Sequence, residues 1–269
     1  MKIFITGGTG FIGSRLVKEL RGNHTVRSLK ARLEDVKKVE LELKRFKPDV
    51  VVHLAWEGIP NVGVEMSAKN LKQNLDFLLL VGKNKILKLI VTGSAWQYES
   101  EQELAASHHG PFVAAKNTLK VFGEEIMKSH GGIFIWAIPF FVYGNGKKAV
   151  SLVPYLLAQA REGKQPIPKN PDAWHDFVYV DDVAQALAEL AVKKVPNGNY
   201  DIGTGLLTRT GDIANIIADI FKMPKMKWHK LPKSGKRADT RIIKKETRWG
   251  AKTSIRHGIE VMVKQKNES

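Results

Sequence analysis

Apolar positions along the chain follow two rhythms. Short, nearly continuous apolar runs occur at 2–6 (KIFIT), 24–29 (HTVRSL), 49–55 (DVVVHLA), 88–93 (KLIVTG) and 133–139 (IFIWAIP). Between them, 11–21, 34–46, 67–83 and 112–129 repeat apolar residues at helical spacing. A strand buried on both faces reads as a continuous apolar run, and helices between such strands cover the two faces of a parallel sheet. The pattern predicts a doubly wound α/β fold. Beyond about residue 145 the rhythm is mixed: a helix in 151–162 (SLVPYLLAQARE), a strand in 176–180 (DFVYV), a helix over 181–193 and a strand in 199–203 (NYDIG). The expected organisation is a first domain over 1–145 and a smaller lobe over 146–269, partly interleaved with it.

A doubly wound sheet places its ligands outside the carboxyl ends of its strands. At the end of the first predicted strand, FITGGTGFIGSRL holds Gly7, Gly10 and Gly13, and a helix follows. Residues without Cβ let backbone approach a pyrophosphate, and the helix N-terminus offers N–H donors and a positive dipole end. With a strand before and a helix after, the triplet reads as a dinucleotide-binding, Rossmann-like turn. That makes 1–145 the dinucleotide-binding domain and 146–269 the substrate-binding lobe.

Composition narrows the class. A chain of 269 residues with 43% apolar residues, 6 Trp and 11 Phe can bury a full core. Zero cysteines exclude a disulfide framework and thiolate-ligated metal. No metal site is indicated, since His53 ends a buried strand and no His/acid pair has ligand spacing. No apolar run approaches the ~20 residues that span a bilayer, and MKIFITGGTGFIG breaks into glycines too early for a signal peptide. A cytoplasmic protein is expected. The net charge of +16 admits polyanionic partners, nucleic acid included. Its lysines are spread along the chain and not interleaved with aromatics, which fits a solvated surface better than a nucleic-acid face.

The G-x-x-G-x-x-G spacing of TGGTGFIG resembles the cofactor loop of the extended short-chain dehydrogenase/reductase family, the NAD(P)-dependent nucleotide-sugar epimerase/dehydratase/4-keto-reductase group. The likeness runs nearly end to end. KPDVVVHLAW is similar to the family's fourth strand, KNLKQNLDFL to its following helix with Asn74, and VTGSAWQYE to its catalytic serine strand. FVYG, HDFVYVDDVAQA, GNYDIGTG and ADTRIIKKETRWG resemble its second half. HLAWEGIPN and TGSAWQYE look most like the short 4-keto-reductases of deoxysugar pathways.

The resemblance implies hydride transfer between a nicotinamide and a sugar carbon. A tyrosine passes the proton, a serine holds the carbonyl oxygen, and a lysine binds the nicotinamide ribose and lowers the tyrosine pKa. Ser94 takes the serine position and Lys116 the lysine position; the tyrosine position is Phe112. Phe112 cannot donate a proton. Three readings stay open: another acid serves, with Tyr98, His108 and His109 as candidates; the tyrosine was replaced deliberately; or the chain binds its ligands without turnover, as a cofactor- or RNA-binding relative. Gly7, Gly10, Phe11, Ile12, Gly13, Leu54, Ala55, Asn74, Lys116 and Pro139 fall at implied cofactor positions.

At the adenosine end the resemblance places Lys30 where an acid binds the ribose hydroxyls in NAD-specific relatives and Arg32 where an acid contacts the adenine, so the cofactor is NADP or NAD with a lean to NADP(H). On the substrate side the resemblance points to His175 and Arg237, with Lys236 and Arg241 able to share a diphosphate. Asp181 and Asp182 read as helix-capping acids. The expected partner is a nucleotide-sugar, and the expected assembly a homodimer.

Overall fold

A computed structural model describes residues 1–146, 151–228 and 234–265. The first five strands are β1 (Lys2–Thr6), β2 (Thr25–Ser28), β3 (Val50–His53), β4 (Lys88–Thr92) and β5 (Ile133–Pro139). Helices α1 (Gly13–Arg21), α2 (Val36–Phe46) and α3 (Val64–Lys83) separate the first four, and α4 (Glu101–Ala106) and α5 (Gly110–Lys128) precede β5. There follow β6 (Phe141–Tyr143), α6 (Leu152–Arg161), β7 (Trp174–His175), β8 (Phe177–Tyr179), α7 (Val180–Val192) and β9 (Gly198–Ile202). The chain continues through β10 (Thr208–Arg209), α8 (Thr210–Ile220), α9 (Arg241–Thr247) and α10 (Ile255–Gln265).

Six strands form one sheet in the order β2-β1-β3-β4-β5-β9, parallel throughout. The third apolar run, 49–55, forms the third strand, β3. Side chains alternate across the sheet. Ile3, Ile5, Val50, Val52, Ile90 and Ile135 face Leu16, Leu20, Val183 and Leu187 of α1 and α7. Phe4, Val51, Leu89, Val91 and Trp136 face Val39, Leu43, Phe77, Leu78 and Leu119 of α2, α3 and α5. Each such fully buried side chain contributes about 1.5–3 kcal/mol. A further cluster joins Tyr143, Leu156, Leu157, Phe177, Tyr179, Ile213, Ile217 and Ile259. Among the described residues, no helix is long and apolar enough to cross a membrane.

The register sets the site. Thr6 pairs with His53, His53 with Val91, Thr92 with Ala137, and Pro139 with Ile202. The carboxyl ends of β1, β3, β4, β5 and β9 therefore line one edge of the sheet, and the loops from that edge carry the chemistry.

Candidate active site

The glycine turn leaves β1 at this edge. Gly7 has φ +68°, and a Cβ there would meet the Ala55 amide nitrogen at 2.9 Å, so the turn packs against the end of β3. A Cβ on Gly13 would run into the Gly7 carbonyl, which is why α1 can start so close to the strand. The helix expected from residue 11 starts at 13 because Phe11 and Ile12 belong to the turn. The turn's Thr9 and Gly10 are exposed, and the first turn of α1 carries no acid. Such a cradle fits a pyrophosphate. Arg15 fastens it, donating to the carbonyls of Phe11 at 2.8 Å and Asn145 at 2.6 Å and pairing with Asp181 at 2.9 Å.

Beside it runs a buried hydrogen-bond chain. The amides of Leu54 and Ala55 donate to Thr6 Oγ1, both at 3.2 Å, and Thr6 Oγ1 lies 2.7 Å from His53 Nδ1. His53 Nε2 meets Asn74 Oδ1, and Asn74 Nδ2 donates to the Asn70 carbonyl at 2.7 Å. Asn70 in turn holds both the amide and the carbonyl of Glu57. Burial pushes the His53 pKa down to about 3, against the bond to Asn74, so the ring is neutral. Asn74, expected near the cofactor, positions His53 and the 54–63 loop.

Lys116 lies on α5 with Nζ donating to the Thr92 carbonyl at 2.7 Å, at the carboxyl end of β4. The ammonium also sits 4.2 Å from the Trp56 ring centroid and 5.7 Å from that of Phe112. Enclosure drives its pKa down to about 7. Phe112, one helical turn earlier, is buried against Val62, Val113, Trp56 and Trp96. Its ring meets Trp56 edge-on at 5.1 Å and Trp96 at 5.5 Å. Ser94 caps the 3-10 turn Ala95–Tyr98 just beyond β4, its Oγ accepting from the Trp96 amide at 3.4 Å. The structure thus gathers Ser94, Phe112 and Lys116 around the end of one strand.

The candidates for a replacement acid separate. Tyr98 donates to Asp201 Oδ1 at 2.7 Å, and burial followed by that carboxylate raises its pKa. His108 is exposed. His109 is stacked on Trp96 at 3.6 Å and 11°, with Glu99 Oε2 at 3.5 Å from Nδ1. Sequence reading missed Trp56, Trp96 and Glu99. Trp56 and Trp96 follow carboxyl ends of strands in a predicted doubly wound sheet, which was the available signal.

Beyond the end of β2 a hollow is lined by Lys30, Ala31, Arg32, Glu34, Asp35, Lys38 and Glu42. Arg32 is not free for a phosphate alone, since it pairs with Glu34 at 3.3 Å and Glu57 at 2.5 Å. Lys38 pairs with Asp35 at 2.6 Å. On the other side, His175 stacks on Phe141 at 3.9 Å, and burial lowers its pKa to about 4. Arg237 is exposed, Lys236 reaches Glu103 at 3.7 Å, and Arg241 grips Asp239 with bonds of 2.8 and 2.6 Å. Asp176, fully buried beside His175, accepts from Thr204 N, Thr204 Oγ1, Gly205 N and Ala238 N, which ties this segment to β8. Asp181 and Asp182 are not side-chain caps of α7, whose N-cap is Tyr179. Asp181 pairs with Arg15, while Asp182 accepts from the Lys252 and Thr253 amides and so anchors the C-terminal segment.

A glycine cradle, a buried lysine and a serine at one edge of a parallel sheet are joined by a sequence match. Residues 3–203 match the family model for the NAD dependent epimerase/dehydratase family, and the chain belongs to that family. It is 26% identical over 246 residues to GDP-6-deoxy-D-talose 4-dehydrogenase of Aggregatibacter actinomycetemcomitans, covering 82% of this chain and 80% of that protein. Its fold is that of UDP-glucose 4-epimerase of Thermotoga maritima, solved with UDP-glucose (TM-score 0.83, 23% identity, 100% of this chain and 99% of the other). It is equally that of RMD from Pseudomonas aeruginosa complexed with NADPH (TM-score 0.82, 19% identity, 99% of each chain).

Proposed function

We propose that the protein binds NAD(P) along the glycine turn and a nucleotide-activated sugar against the second half of the chain. The chemistry is hydride exchange at a sugar ring carbon, 4-keto reduction or epimerisation being the nominal reaction. The observation that carries this reading is Lys116: a buried cation one turn from Phe112, held on the carbonyl of Thr92, two residues before Ser94. Gly7, Gly10, Phe11, Ile12 and Gly13 would hold the pyrophosphate. Leu54, Ala55 and Pro139 would flank the cofactor at the ends of β3 and β5, and Lys116 would meet the nicotinamide ribose. The bound cofactor supplies or accepts the hydride; the chain's residues orient the sugar, exclude water and handle the proton. Ser94 Oγ would hold the carbonyl oxygen, and His175 and Arg237 would face the nucleotide-sugar.

Lys30 and Arg32 support a lean to NADP(H), reduced by the carboxylates that already hold Arg32. Exposed Leu79 on α3 and exposed Val121 and Phe122 on the adjoining α5 support a homodimer through that helix pair. A second reading, binding without turnover, rests on Phe112, because the missing hydroxyl removes the expected acid. Cofactor calorimetry followed by nicotinamide absorbance with a panel of nucleotide-linked 4-keto-sugars separates the two. Cofactor binding with substrate-dependent oxidation of the reduced nicotinamide supports the first; binding with no oxidation across the panel supports the second.

A further inference from the structure

We propose that His109, held by Glu99, is the proton donor of this site and does the work that Phe112 cannot. The inference rests on the oxidoreductase reading above.

Three observations converge on the imidazole. His109 directly precedes α5 with helical backbone angles, φ −87° and ψ −15°. Residues 109, 112 and 116 are therefore spaced i, i+3, i+7 and share one face of the helix. Imidazole, benzyl ring and ammonium form one stripe, and the stripe faces the turn that carries Ser94. Second, Trp96 joins the ring to the site: one indole stacks on His109 at 3.6 Å and meets the Phe112 edge at 5.5 Å. Third, Glu99 Oε2 and His109 Nδ1 face each other at ion-pair distance, 3.5 Å, both shielded from solvent and neither with a hydrogen bond to any other group. A carboxylate facing Nδ1 orients the ring and leaves Nε2 as the nitrogen that exchanges a proton with the substrate.

The other candidates are committed elsewhere. The Tyr98 hydroxyl is bonded to Asp201, and His53 is locked between Thr6 and Asn74. His175 is stacked on Phe141.

In the reductive direction, the sugar carbonyl carbon gains a hydride supplied by a reduced nicotinamide. The carbonyl π pair moves onto oxygen, and oxygen takes the proton from His109 Nε2, giving an alcohol. The imidazolium becomes neutral imidazole and regains a proton from solvent, which its side chain reaches at 28% exposure. The reverse direction uses neutral His109 as the base.

The test combines a spectrum and a mutant series on the full chain. In the cofactor-free protein, ring-15N shifts of His109 should show a proton on Nδ1 shared with Glu99, and Glu99→Gln should move that signal. His109→Gln should lower kcat by about 10²-fold with KM changed little, the usual worth of a positioned acid. Phe112→Tyr introduced into His109→Gln should restore most of the loss, since a hydroxyl on the same helix face replaces the donor. Unchanged kcat in His109→Gln, a loss that Phe112→Tyr does not rescue, or a bare Nδ1 unaffected by Glu99→Gln would each overturn the assignment while leaving the oxidoreductase reading in place. Absence of turnover by the unmodified chain across nucleotide-linked keto-sugars would overturn both.

Discussion

The Lys116 ammonium sits 4.2 Å from the centre of the Trp56 ring, with the Thr92 carbonyl at 2.7 Å as its hydrogen-bond acceptor. One side of the cation is thus closed by an indole from the β3 loop and the other by the end of β4. Enclosure lowers its pKa to about 7 from the ordinary lysine value of 10.5. Between those values the unfolded chain carries a proton that the folded chain lacks, so stability rises with pH across the window and the contribution is lost toward pH 7. Trp56→Ala opens the cation to water and should flatten that rise. Denaturant titrations at pH 7 and pH 9.5 on both proteins measure it; equal slopes would show that Trp56 does not enclose the lysine.

The glycine turn predicts a binding defect without a folding defect. A Cβ at Gly10 would approach the Gly7 carbonyl only to 3.1 Å, a contact that a small shift relieves. The branches of Gly10→Val would instead fill the space over the helix N-terminus where a pyrophosphate would lie. Calorimetry should show NAD(P) affinity reduced by roughly tenfold or more, with the melting temperature little changed.

Cofactor choice follows from Arg32 and Glu57, which pair at 2.5 Å. NADPH should bind more tightly than NADH at low salt, and the difference should shrink as salt is added because both side chains reach solvent. Glu57→Gln removes one of the two carboxylates that hold Arg32, leaving Glu34, and should widen the preference by up to about fivefold, since an exposed ion pair withholds no more than about 1 kcal/mol. Equal affinities in the unmodified chain at low salt would remove Lys30 and Arg32 from the cofactor site.

Asp176 predicts the reverse pattern, a stability defect that spreads to the substrate. It is fully buried and accepts four hydrogen bonds from Thr204, Gly205 and Ala238. Asp176→Ala strands those donors and should cost roughly 3 kcal/mol or more. Because Ala238 adjoins Arg237, nucleotide-sugar affinity should fall further than NAD(P) affinity in the surviving folded fraction.

The sheet was legible where the sequence needed no partner to interpret it. Val50–Val52 and Ile133–Ile138 are apolar at nearly every position because both faces of the sheet are covered, and that is visible in one dimension. Strands of two or three residues, such as Trp174–His175 and Thr208–Arg209, are too short to show any period, and only their pairing defines them. The site divided the same way. The spacing of Phe112 and Lys116 can be read from a helix face alone. What His109 does cannot, because its meaning comes from Trp96 and Glu99, which arrive from the β4 loop. Arg32 likewise read as a free base until the loop after β3 brought Glu57 to it.

The central claim is hydride exchange between a nicotinamide and a nucleotide-linked sugar at the Ser94–Lys116 edge of the sheet. Reduced cofactor deuterated at the transferring position, incubated with the chain and a panel of nucleotide-linked 4-keto-sugars, tests it by mass spectrometry of the sugar. The account predicts deuterium on the former carbonyl carbon, lost in Lys116→Met. Cofactor bound at the glycine turn with no deuterium in any sugar would contradict it.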